Sequence, residues 1–133
     1  MQKQVMFKDS EHKEFYNQKI MEYVNTGKKV DSHIKPLFYL LAMTEDTRNN
    51  FARLFDMENE QINSKSLSDE WLTSSTQKVC RLAFNLFANY KQDGRKKVSE
   101  ELTPDNLFAT DFSPFFVQAI MLRYQSYFRT KLD

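Results

Sequence analysis

The sequence predicts an all-α fold, a compact bundle of five or six helices forming a single domain over residues 1–133. Three observations lead there. Glycine is nearly absent, with only Gly27 and Gly94 in the chain, and folds with many tight β turns need glycine to supply positive φ without steric cost. Apolar residues recur at three- and four-residue spacing, the mark of a helix with one buried face. Six segments also open on a hydroxyl or carboxylate cap, some with a proline in the first turn.

The first helix is expected over Ser10–Asn25. Asp9 and Ser10 can cap its free N–H groups, Glu11 and Glu14 suit the positive end of the helix dipole, and Phe15, Tyr16, Ile20, Tyr23 and Val24 form the stripe. Gly27 stops it. A second helix starts near Asp31 or Ser32, tolerates Pro36 early, and carries Leu37-Phe38-Tyr39-Leu40-Leu41-Ala42-Met43, a run that must be mostly buried. Thr44 caps a third, with Glu45 and Asp46 in its first turn and Phe51, Leu54 and Phe55 on its apolar side. Between Met57 and Leu72 the periodicity fails, which predicts a long connection with room for one helical turn. The fourth helix, Ser74 to Lys91, sets Val79, Leu82, Ala83, Leu86 and Tyr90 on one stripe, widened by Cys80, Phe84 and Phe87. Thr103-Pro104-Asp105 opens a short helix through Leu107 and Phe108, and Ser113-Pro114 opens the last, where Phe115–Phe128 holds ten apolar residues in fourteen. The fourth and last helices are expected at the centre.

Composition narrows the function classes. A net charge of +1 gives no global field for gripping nucleic acid and no acidic surface mimicking it. A chain of this length buries roughly two-thirds of its unfolded surface, so it needs neither a disulfide nor a structural metal, and 19 aromatics exclude a disordered chain. A single cysteine, no apolar leader and no membrane-length apolar stretch point to the cytoplasm and to no membrane partner.

The residues for catalysis are not assembled. Cys80 falls on the apolar side of a helix, where a buried structural thiol is expected. His12 and His33 have no metal-ligand spacing and are expected on the surface near helix starts. No nucleophile elbow, glycine-rich loop or carboxylate pair on an apolar helix face occurs, so the reading is a protein without catalytic residues, metal or cofactor.

Charge is uneven: residues 1–30 sum to +2, 31–70 to −4, 71–99 to +5 and 100–133 to −2. The acidic and basic blocks are expected to neutralise one another on a solvated surface. Arg123 lies beside the buried stripe of the last helix; either it pairs with an acid such as Asp111 or Asp105, or it is an interface arginine. Trp71 stands just before a helix start over-provided with hydroxyls at Thr73, Ser74 and Ser75, and Lys78, Arg81, Asn85, Asn89 and Gln92 line the polar side beyond it. One reading is a capped helix with an ordinary solvated face; the other is a polar, aromatic-edged recognition surface.

Trp71 with Thr73-Ser74-Ser75, then Arg81-Leu82-Ala83-Phe84-Asn85-Leu86, Leu107-Phe108, and Ala119-Ile120 before Arg123-Tyr124 resemble an uncharacterised family of small Firmicute proteins, some encoded by prophages and mobile elements. The resemblance spans most of residues 7–128 and implies no catalytic residue, cofactor or substrate. It implies an accessory protein of the kind that binds and blocks host machinery, such as a bacterial defence complex in the manner of an anti-CRISPR protein.

The leading expectation is therefore a non-enzymatic protein-binding protein using Trp71, Lys78, Arg81, Asn85, Asn89 and Arg123. Surplus apolar surface on the last helix predicts a homodimer. The alternative is a small nucleic-acid-binding regulator using the basic 71–99 segment, chiefly Lys78, Arg81, Lys91, Arg95, Lys96 and Lys97.

Overall fold

The computed structural model describes residues 4–90, 92–93, 96–97 and 99–128. It is mostly helical, with seven α-helices among those residues: α1 (Ser10–Asn25), α2 (Ile34–Leu41), α3 (Glu45–Asn49), α4 (Phe51–Leu54), α5 (Ser74–Ala88), α6 (Pro104–Leu107) and α7 (Ser113–Arg123). The seventh arises because the expected third helix breaks at Asn50, whose N–H turns back to the Asp46 carbonyl while its side-chain amide donates to that same oxygen. Phe55 then leaves the helix for a two-residue strand.

Local caps fall where their chemistry demands. The Asp9 carboxylate accepts from the His12 N–H at 2.8 Å, and Thr44 and Thr73 each close a reciprocal capping box with the threonine three residues on. Gly27 adopts φ +85 after α1, a left-handed conformation that ends the helix cleanly. The second helix begins at Ile34 rather than at Asp31 or Ser32, because the Asp31 carboxylate accepts from the backbone of both His33 and Ile34 and acts from outside the helix.

The centre is α2, not the α5 and α7 pair that the sequence suggests. Every residue from Leu37 to Met43 is fully buried. A helix apolar on all sides has no face to give to water, so other elements must surround it, and α1, α5 and α7 do. Its Phe38 ring meets Tyr23, Phe51 and Phe55 edge-on, with centroids 5.6, 5.4 and 5.8 Å away.

The long connection also holds more order than its sequence signals. Phe55–Asp56 (β1) pairs antiparallel with Gln61–Ile62 (β2). The Asp56 carboxylate fastens the turn between them by accepting from the backbone N–H of Glu58 and Asn59 and from the Asn59 side chain. A 3-10 turn, Ser64–Ser68, follows and buries Leu67. The α5 helix stops at Ala88 instead of continuing to Lys91, since Asn89 takes φ 58 and caps it. The last helix stops at Arg123 and passes into a 3-10 turn over Gln125–Tyr127.

His12 corrects the expectation of a surface residue, because it is wholly buried. Its ring Nδ1 accepts from the Lys8 N–H at 3.0 Å, which leaves Nε2 as the protonated nitrogen, donating to the Tyr39 carbonyl at 2.7 Å. Burial pushes its pKa down to about 4. With Tyr39 donating its hydroxyl to Met6 O and the Met6 N–H reaching Gln118 Oε1, the ring helps strap residues 4–9 across α1, α2 and α7.

Candidate functional site

The polar side of α5, expected as a recognition surface, is largely engaged within the chain. Trp71 is half-buried and its indole N–H donates to Asp69 Oδ2 at 3.0 Å. The Arg53 guanidinium holds the same carboxylate and, with Trp71, keeps its pKa below the usual range. Lys78 Nζ reaches the Ala109 carbonyl at 3.4 Å. The Arg81 guanidinium lies 3.8 Å from Glu101, with only 12% of its side chain exposed. Asn85 donates its amide to the Tyr90 carbonyl at 3.1 Å, and Asn89 serves as the left-handed cap.

The 3-10 turn Ser99–Leu102 packs on α5 and brings Glu101 to Arg81, while Lys78 reaches across to Ala109 and Asn89 stays exposed, so a face that is polar by helical spacing is half-covered around Arg81 and open at Asn89. The expected neutralisation of the acidic block by the basic one rests mainly on Lys91, Arg95, Lys96 and Lys97, whose side chains lie outside the described residues. Among the described residues no ion pair joins 31–70 to 71–99: Asp69 takes Arg53 from its own block, and Arg81 takes Glu101 from the last. The basic residues Lys96 and Lys97 form a strand (β4) paired antiparallel with Gln92–Asp93 (β3), in the register Gln92↔Lys97 and Asp93↔Lys96. Lys91 and Arg95 lie outside the described residues.

Arg123 has a different partner from either acid proposed for it. Its Nε–H donates to the Leu86 carbonyl at 3.0 Å, one of the carbonyls in the last turn of α5 that have no partner inside the helix. Its guanidinium carbon sits 4.7 Å from the Tyr124 ring centroid. The cation thus joins α5 to α7 and stacks on an exposed aromatic.

That aromatic belongs to a second apolar face, which shows in the sequence as surplus apolar residues. Phe116, Ala119 and Leu122 turn α7 inward and are fully buried, whereas Val117 is 48% and Tyr124 37% exposed on the other side, with Met121 half-exposed between them. Tyr127 (84%) and Phe128 (41%) extend the exposure past the helix end. Met6, also exposed, is held beside Gln118 by its backbone. The readable signal was the spacing of 117, 121 and 124 on a helix whose inner face was already filled by 116, 119 and 122. Arg123 is the residue from the expected site that lies against this face.

Cys80 is fully buried, and burial pushes its thiol up to about 12, which keeps it protonated at neutral pH. Among the described residues no three His, Cys, Asp or Glu side chains cluster to hold a metal ion, and no helix is long and apolar enough to cross a membrane.

A family of unknown function, DUF6075, matches residues 2–133. The chain belongs to this family. Among curated proteins and among solved structures, nothing matches it. Family membership therefore supplies no ligand or activity, and any function has to be argued from the surface itself.

Proposed function

We propose that this chain is a non-enzymatic protein-binding protein that engages a second copy of itself through the outer face of α7. The observation that carries the reading is the run Val117, Met121, Tyr124 and then Tyr127 and Phe128, apolar and open to water on a helix whose opposite side is already in the core. Such a face costs free energy while solvated. Arg123 is the one charged residue in α7, and it is held by Leu86 O and Tyr124. Each copy brings a single α7 charge, held at the edge of the face, and a two-fold pairing lays the same patch on itself. Tyrosine and arginine at its edge are the residue types enriched where binding energy concentrates.

Light scattering at micromolar concentration tests this. The expected mass is twice the 15.9 kDa of one chain, falling to one chain in Val117→Glu, which places a charge in the middle of the face. A wild-type mass of one chain at every accessible concentration would refute it. The resemblance to small proteins of prophages and mobile elements extends the proposal to a cytoplasmic accessory role, in which the dimer presents a surface to a bacterial defence complex.

A second reading, nucleic-acid binding, draws on the β3–β4 hairpin, which brings Lys96 and Lys97 together on a two-stranded ribbon. It predicts retention on heparin that weakens steeply with salt, because each neutralised phosphate releases counterions, and loss of retention on charge reversal at Arg95, Lys96 and Lys97. No retention at low salt removes this reading.

A further inference from the structure

The strap of residues 4–9 closes one side of a cleft against α1 and the start of α2, with a volume of about 410 Å³, within the range of small-molecule sites. Val5, Phe7, Ile20 and Val30 supply apolar walls, and the buried Tyr16 packs its ring 5.5 Å from Phe7. Lys13 and Lys35 also line the cleft. Neither ammonium makes an ion pair or a hydrogen bond with a described side chain, and no acidic residue is part of the lining. Two cations with no ion pair among the described residues, beside an apolar floor, form an arrangement complementary to one chemical class.

We propose that this cleft binds a small organic anion with an apolar body, such as an alkyl or aryl carboxylate or sulfonate. The body fills the space between Phe7, Ile20 and Val30, and the anionic head lies with Lys13 and Lys35. The cleft is built in advance of its ligand, because the strap is pinned by three hydrogen bonds, Lys8 N–H to His12 Nδ1, Tyr39 O–H to Met6 O and Met6 N–H to Gln118 Oε1. Preformed walls spare the ligand the cost of ordering them. The site is separate from the outer face of α7 and stands whether or not the chain dimerises.

The test uses the whole protein and the anionic fluorophore 1-anilinonaphthalene-8-sulfonate as the probe, with decanoate and decanol as competitors. Saturable enhancement with displacement by decanoate at least about tenfold better than by decanol is expected, a difference of about 1.4 kcal/mol. In Lys13→Gln/Lys35→Gln the probe affinity should fall about tenfold or more while the helical circular dichroism is unchanged, since both substitutions keep a polar side chain at a site that makes no hydrogen bond. Tyr124→Glu, on the other face, should leave the affinity as it is. Equal displacement by decanol, unchanged affinity in the double lysine variant, or loss of the signal in Tyr124→Glu would each overturn the assignment, the last by showing that the probe sits on α7.

Discussion

At pH 5 the protein is expected to be about 2 kcal/mol less stable than at pH 7, through His12 alone. The folded pKa of this group is about 4, below the ordinary 6.5 of the unfolded chain. Folding therefore favours the neutral ring, and the unfolded state binds the extra proton between these values. The contribution is fully present above pH 6.5 and is lost as pH falls toward 4, reaching about 3 kcal/mol in all. Geometry explains the sign as well as burial does. Nδ1 accepts from the Lys8 N–H, so a proton there would set two donors against each other. Carboxylates held low by their partners, Asp9, Asp56 and Asp69, add a separate loss that begins only as pH falls through the carboxylate range. Urea unfolding across pH 4 to 7 should show the upper limb in the wild type and a flat line there in His12→Phe. The same slope in both proteins would show that the ring is solvated.

Phe38→Ala is expected to cost about 3–5 kcal/mol, among the largest single losses available to this chain. The ring is fully buried and meets three others edge-on, from α1, α4 and β1. Its removal leaves a cavity that those elements cannot close together, because each is fixed by its own contacts. A domain with 5–15 kcal/mol of stability then loses a large share of it, and the thermal midpoint should fall by about 10 °C. Phe38→Leu, which keeps most of the volume, should cost clearly less. A loss below about 1 kcal/mol for the alanine variant would place Phe38 outside the core.

Much of the helical order was legible because its signals are local. Asp9, Thr44 and Thr73 each satisfy the N–H group three residues on, so both partners stand close together in the sequence. The burial of Leu37–Met43 was legible for a similar reason, since no polar residue interrupts the run. His12 was misread as a surface residue from its place near a helix start, although its spacing from Tyr16, Ile20 and Tyr23 continues the buried stripe. The strands at Phe55 and Gln61 are two residues long and carry no periodicity, so the turn chemistry of Asp56 was their only trace. The face of α5 that reads as polar is polar, solvated at Asn89 and half-covered at Lys78, Arg81 and Asn85. What engages it, Glu101 and Ala109, comes from about 20 or more residues further along the chain, and nothing local announces that contact. The outer side of α7 could be read as an apolar spacing at 117, 121 and 124 but not as exposed, since which side a neighbour fills depends on α2.

The proposed contact surface is the outer face of α7, and the polar side of α5 is part of the fold. The most direct measurement is solution mass by light scattering for Tyr124→Glu and Arg81→Ala, taken with each protein's thermal midpoint. Tyr124→Glu should have the mass of one chain and keep its helical spectrum, while Arg81→Ala should keep the mass of two chains and melt earlier, because it loses the Glu101 contact and the packing of a nearly buried side chain. A dimeric Tyr124→Glu together with a monomeric Arg81→Ala of unchanged melting temperature would contradict the claim and return the interface to α5.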